Sequence, residues 1–272
     1  MTRVTQAGLS DTSLKGSPAV TVIYTVAQQK GGVGKTTTAI NVAVALARAG
    51  QSVLAVDVDP QFALSRQLGL KPHELALSLV DALSGQADAA DVVVHDVFGV
   101  DVLPGHRDLV RVELSLATQV ARDTYLRRTL QPIADHYDSI VIDTPPNLGL
   151  LTVNALVPAD VVIAPVDAEQ EGSAQGLAEV RATLSQLEQL RGGTQPRLVV
   201  LMTRWDKRRL MARVVEQAVE TNDFHIAARI PLRTALQHAA AWRRPIVDSD
   251  PDGEIAHAYI AFTDMLIAAE VA

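Results

Sequence analysis

The chain of 272 residues contains no cysteine. That single absence excludes disulfides, thiolate metal centres and thiol nucleophiles. Aromatic residues are scarce at 4%, so a core has to be built from Ala, Val, Leu and Ile, which the 48% hydrophobic content supplies. No apolar run reaches the ~18 residues of a membrane-spanning helix, and no secretory pattern opens the chain. The expected compartment is the cytoplasm. Charge is unevenly placed: between Arg204 and Arg244 nine Lys or Arg face four acids, a local +5 that leaves −12 for the rest of a chain of net −7. Such a segment implies an anionic partner, nucleic acid foremost. The closing stretch Gly253–Ala272 has no Lys or Arg and carries Glu254, Asp264 and Glu270, so an anionic lipid surface would repel it.

What the sequence does contain is organised around Gln29-Lys30-Gly31-Gly32-Val33-Gly34-Lys35-Thr36-Thr37. A β-branched run, Val20–Val26, precedes it, and an alanine-rich helical pattern from Thr36 to about Arg48, closed by Gly50, follows. Strand, glycine loop and helix is the setting of a phosphate-binding P-loop. Glycines let backbone N–H groups converge on an anion, and the helix N-terminus adds positive potential. Lys35 is placed to reach β- and γ-phosphates, and the Thr36 hydroxyl to face a Mg²⁺ ion. A second lysine, Lys30, is superfluous for binding phosphate. Its economical use is charge stabilisation during phosphoryl transfer.

Further along, near-continuous apolar strands alternate with helical patterns. Strands are expected at Ser52–Asp59, Val92–Val94, Val100–Leu103, Ser139–Asp143, Asp160–Val166, Arg197–Met202 and Phe224–Ile230. Helices are expected at about Glu74–Leu83, Leu109–Thr118, Ala121–His136, Leu150–Leu156, Ser173–Leu190, Arg208–Glu220, Thr234–Ala241 and Gly253–Val271, the last opened by Asp250-Pro251 as N-cap and first helical residue. The pattern implies an α/β fold, a mainly parallel twisted sheet covered by helices on both faces, of P-loop NTPase type. Residues 1–18 are polar and aperiodic and read as a flexible tail before one domain, 19–272. In such a sheet ligands sit beyond the carboxyl ends of the strands. Asp59 and Asp143 both end buried-strand patterns, which makes them candidates to face the loop.

The form Lys-Gly-Gly-Val-Gly-Lys-Thr-Thr resembles the deviant Walker A box of the ParA/MinD ATPases. Asp57-Val58-Asp59-Pro60-Gln61 resembles their switch I, and the run from Tyr137 to Leu156, with Ile142-Asp143-Thr144-Pro145-Pro146, their Walker B and switch II, closest to the Soj-like chromosomal and small-plasmid ParA branch. The lack of cysteine sets the chain apart from nitrogenase iron proteins, which share the loop and hold an iron–sulfur cluster. The resemblance implies ATP and Mg²⁺ as ligands, with Lys30, Gly31, Gly32, Val33, Gly34, Lys35, Thr36 and Thr37 cradling the nucleotide. It implies Thr36, Asp59 and Asp143 around the metal, and Lys30, Lys35 and Asp59 as catalytic residues, Asp57 supporting. Thr203, Arg204, Pro231 and Arg233 fall where the family holds the base.

The same resemblance implies an ATP-dependent homodimer in which Lys30 acts across the interface, nonspecific double-stranded DNA as a ligand, and a ParB-like centromere-binding protein that stimulates hydrolysis. A nucleoid-associated cytoplasmic location and no membrane partner follow. Positioning of a protein cargo is the alternative use of the same cycle. For DNA, Arg208 matches the family's Asp-x-Arg at Asp206-Lys207-Arg208. Arg209, Arg233, Arg243 and Arg244 surround it in sequence, while a second family arginine falls on Ala235. Two departures carry expectations of their own. Phe62 stands where the switch I motif has glycine, so a changed backbone path is expected there. Trp242 is expected to pack on the last helix, a stacking platform being the alternative.

Overall fold

The computed structural model describes residues 20–270, so the expected tail, residues 1–18, lies outside the described residues. Eight strands form one sheet: β1 Val22–Val26, β2 Val53–Asp57, β3 Val94–Val97, β4 Val100–Leu103, β5 Ser139–Asp143, β6 Val161–Asp167, β7 Arg197–Trp205 and β8 Ile226–Pro231. Their order is β3-β4-β2-β5-β1-β6-β7-β8. All neighbouring pairs run parallel except the β3–β4 hairpin.

Alternation along the strands sorts their side chains into two cores. Val53 and Ala55 of β2 join Tyr24 and Val26 of β1 beneath the helices Lys35–Arg48 and Glu254–Ala268. Leu54 and Val56 point the other way, with Ile140 and Ile142 of β5, into a core closed by Leu79–Leu83, Leu109–Leu116, Tyr125–Ala134 and Leu150–Leu156. With both faces covered, the strands have no polar side to show, which is why they read as unbroken apolar runs. The helix Glu254–Ala268 buries Ile255, Tyr259, Phe262 and Leu266 at three- and four-residue spacing. Each such side chain contributes about 1.5–3 kcal/mol on burial. The apolar face of this helix is therefore engaged in the core, and among the described residues no helix is long and apolar enough to cross a membrane.

Several boundaries differ from the sequence-based expectation. The helix expected over Glu74–Leu83 is broken: a single 3₁₀ turn, Pro72–Glu74, gives way to extended backbone at Leu75, and the helix starts only at Leu79. The restart is local chemistry, since the Asp81 carboxylate accepts the Ser78 backbone N–H at 2.8 Å. Asp250-Pro251 does not open the last helix. Asp250 closes a one-turn helix, Ile246–Ser249, and its carbonyl accepts the N–H of Gly253, the actual N-cap, at 3.0 Å. Strand β7 runs three residues past Met202, which carries Thr203 and Arg204 over the P-loop.

Candidate functional site

The register sets the site. Val26, Asp57 and Asp143 end three adjacent strands, with Val26 and Asp57 both paired to Asp143. The chain leaving β1 becomes the glycine loop over these ends. Gly32 and Gly34 take left-handed φ of 75° and 95°, a conformation other residues adopt only with strain, and Gly34 is the N-cap of Lys35–Arg48. Thr203 Oγ1 donates to the Val33 carbonyl at 2.9 Å, and the Arg204 guanidinium donates to the Gly32 carbonyl at 3.3 Å. Arg204 is held in turn by Asp167, at the end of β6, with an Nε–Oδ1 distance of 3.0 Å. Pinning two loop carbonyls from β7 fixes how the loop backbone is turned over the strand ends.

Two cavities open on either side of the loop and share Gly32, Gly34 and Thr37. One, of about 260 Å³, is lined by Gly31, Lys35, Thr36, Asp59 and Pro146 besides the shared residues. The other, of about 240 Å³, includes Val33, Thr203, Arg204, Pro231, Arg233 and Tyr259. The first is polar and sits at a helix N-terminus, as polyphosphate requires. The second mixes apolar walls with Arg204, Arg233 and Gln237, as a nucleobase and its sugar require. Gln237, like Tyr259, was not singled out from the sequence, because its place in the wall depends on how the helix Ala235–Ala241 sits over β8.

The charged groups divide by environment. Lys35 is only 7% exposed and its ammonium donates to the Lys30 carbonyl at 3.2 Å. Burial lowers its pKa, while Asp143 and Asp59 oppose the shift. Asp143 is fully buried, and neither of its oxygens meets a donor at hydrogen-bonding geometry. Burial, then the charge of Asp57, push its pKa well above the usual carboxylate range, with the Thr36 hydroxyl close enough to offset part of the cost. A buried carboxylate without donors, beside a threonine at a P-loop, is the donor set a divalent cation completes. Thr36, Asp59 and Asp143 thus fit Mg²⁺.

Asp57 is different. It is buried and pushed up to about 7, mainly by desolvation, yet it is fully tied. It accepts the Ser65 N–H at 2.8 Å and the Ser65 hydroxyl at 2.7 Å, and Ser65 Oγ accepts the Gly105 N–H at 3.1 Å. These bonds anchor the helix Ala63–Gln67 to the end of β2. Between them Asp59 Oδ1 accepts the Gln61 N–H at 2.8 Å, and its carboxyl borders the phosphate-side cavity. Phe62 sits within this turn. It adopts the left-handed conformation itself, φ 43° and ψ 42°, with its ring edge-on to His73 at 5.3 Å between centroids.

Lys30 lies apart from the cavity beside its own loop. Its ammonium donates to the Glu171 carbonyl, in the loop after β6, and it lines neither cavity. The expected DNA residues are scattered along the C-terminal half and mostly occupied. Arg208 grips Asp206 through two bonds, Arg209 pairs with Glu169, Arg233 with Glu254 and Arg244 with Asp248. Of the five, only Arg243 has no side-chain partner among the described residues. Trp242 does not pack on the last helix; it is 70% exposed.

Comparison with known proteins agrees with this geometry. Residues 21–198 match the AAA domain family, of the AAA_31 type. The chain is 35% identical to the chromosome partitioning protein ParA of Caulobacter vibrioides, over 91% of this chain and 94% of that one. The chain belongs to the ParA/MinD family. It is also 35% identical to the sporulation initiation inhibitor protein Soj of Bacillus subtilis, over 88% of this chain and 95% of its relative. Among solved structures, cobyrinic acid a,c-diamide synthase of Mycobacterium smegmatis, with a bound ATP analogue and magnesium, superposes with a TM-score of 0.76 at 31% identity. That match covers 91% of this chain and 95% of the other.

Proposed function

We propose that the chain is a ParA-type partition ATPase. It binds ATP with Mg²⁺, dimerises around the nucleotide, binds double-stranded DNA without sequence preference, and hydrolyses ATP when a ParB-like centromere-binding protein engages it. The carrying observation is the pair of cavities sharing one glycine loop, with the donorless Asp143 carboxylate at the metal position. The names of the relatives in Caulobacter and Bacillus support the partition role.

The residues divide the work as follows. Loop amides and Lys35 bind the triphosphate. Thr36, Asp59 and Asp143 would hold Mg²⁺, which would supply charge neutralisation for the phosphoryl oxygens. Asp59, at the cavity wall, orients the attacking water; the water oxygen bonds to the γ-phosphorus as the bond to the β–γ bridging oxygen breaks, and the water's protons leave with the phosphate and to solvent, giving ADP and phosphate. Lys30, directed away from its own cavity, serves the partner's phosphates. A dimer on DNA gives a nucleoid-associated location.

Ion pairing of Arg208, Arg209, Arg233 and Arg244 favours one second reading, a positioning ATPase whose load is a protein assembly. A duplex-binding titration with ATP, with ADP and without nucleotide, repeated over salt, separates the two. Partition predicts ATP-dependent binding whose log affinity falls linearly with log salt, by about 0.9 per phosphate contacted. Absence of binding at low salt in the ATP state transfers the reading to the protein load.

A further inference from the structure

The helix Ala235–Ala241 ends in a turn that its sequence does not favour. Trp242 is the C-cap and Arg243 follows in the left-handed region at φ 54°, where glycine is the usual residue. The Arg243 N–H donates to the Ala240 carbonyl at 3.1 Å and the Arg244 N–H to the Ala239 carbonyl at 3.0 Å, a Schellman closure that fixes the two side chains on one turn. The indole is 70% exposed, with the His238 ring 6.3 Å away at 45°, one helical turn back. The guanidinium of Arg243 has no partner among the described residues, whereas Arg244 is held by Asp248 at 2.7 Å. A tryptophan on a protein-docking face has apolar company. Here no other large apolar side chain of the helix Ala235–Ala241 or its closing turn is exposed, and the nearest exposed ones in sequence, Leu210, Met211 and Val214, sit on the helix Leu210–Thr221. Insertion into a membrane is disfavoured for the same reason.

An exposed indole beside a guanidinium with no partner among the described residues matches the chemistry of an unstacked nucleobase and its phosphate. We propose that Trp242 and Arg243 form an aromatic–cation anchor for single-stranded or locally melted nucleic acid. A base stacks on the indole while the guanidinium meets the adjoining phosphate. This extends the DNA reading above, on which it rests, from backbone contact to contact with a base. Strain at Arg243 fits the assignment, since strained backbone collects where function needs a side chain.

The test uses the full chain with ATP and Mg²⁺ at low salt. Tryptophan emission is titrated with an oligothymidylate of about 16 nucleotides and with a duplex of equal length. Expected are quenching by the oligonucleotide and a loss of about five- to 150-fold in its affinity in Trp242→Ala, with duplex affinity changed by less than about threefold. Trp242→Phe, which retains a stacking face, should keep most of the affinity. Equal oligonucleotide affinity in Trp242→Ala overturns the proposal, as does quenching that persists there and so belongs to Trp205. A response only to phosphatidylserine vesicles also overturns it. If the duplex binds and the oligonucleotide does not, this inference falls and the proposed function stands. Oligonucleotide binding without duplex binding does the reverse.

Discussion

Replacing Lys35 by methionine, and Lys30 by alanine in a second protein, separates the two lysines of the loop. Lys35 is 7% exposed and lines the phosphate-side cavity, so an effective dielectric near 20 applies to it rather than that of water. At about 4 Å from one phosphate charge, its ammonium is then worth about 4 kcal/mol, or roughly a thousandfold in Kd. Methionine keeps the stem's volume, so the loss belongs to the charge. Lys30 lines neither cavity and its ammonium rests on the Glu171 carbonyl, so Lys30→Ala should leave monomeric affinity within about threefold. Calorimetric titration of each monomer with ATP and Mg²⁺ measures both. A Lys35→Met protein within about tenfold of the parent would refute the phosphate assignment of the cavity, since that leaves less than about 1.4 kcal/mol for the charge. A loss in Lys30→Ala as large as in Lys35→Met would show Lys30 serving its own nucleotide and remove the case for action across a dimer.

Asp59→Ala should bind ATP and dimerise but turn over very slowly; turnover within about threefold, under roughly 0.7 kcal/mol of barrier, would exclude Asp59 from orienting water. Mixing it with Lys30→Ala should restore partial activity, because one site then draws Lys30 from one chain and Asp59 from the other; a mixture as inactive as its components argues against a shared site. Asp143→Asn removes a buried carboxyl whose ionisation is opposed by burial and by Asp57, so thermal melts at neutral pH should show the nucleotide-free protein stabilised, while Mg²⁺ ceases to improve nucleotide binding. No change in either quantity would detach Asp143 from the metal. Arg243→Gly relieves a left-handed backbone costing about 1–2 kcal/mol against roughly 0.5–1 kcal/mol of glycine's chain entropy. A net gain near 0.5–1 kcal/mol, about 2 °C in Tm, is expected, and a lowered Tm would reveal contacts of the Arg243 side chain within the fold.

The position of the nucleotide site was legible because each of its signals is local. A glycine loop between a β-branched run and a helix, and acids ending apolar runs, are matters of neighbouring residues, and β5 runs over Ser139–Asp143 as its residues indicate. Period-three and period-four burial on the last helix could likewise be read from Ile255, Tyr259, Phe262 and Leu266. Local rules misled where two of them competed. The apolar spacing of Glu74–Leu83 favours a helix, but the Ser78–Asp81 bond starts one later, and Asp250-Pro251 closes one helix instead of opening the next.

The sequence by itself determined the α/β pattern, the P-loop and Asp143 at the end of β5, because backbone preference and side-chain period act over a few residues, whereas β2 stops at Asp57 and leaves Asp59 in the turn beyond it. Only the tertiary structure decided which charges meet. Asp57 and Asp143 stand side by side through the β2–β5 register, across 86 residues of chain, and Asp57 is tied to Ser65 while Asp143 is left without a donor. Lys30 reaches the loop after β6, and Arg209 reaches Glu169 on that same loop, because β1, β6 and β7 are neighbours in the sheet. An ion pair depends on distance in space, and the order of strands sets that distance. Exposure follows the same logic: Trp242 is a solvent-facing residue and not a core residue because the turn after Ala241 points it into solvent, which no count of apolar residues along the chain reveals.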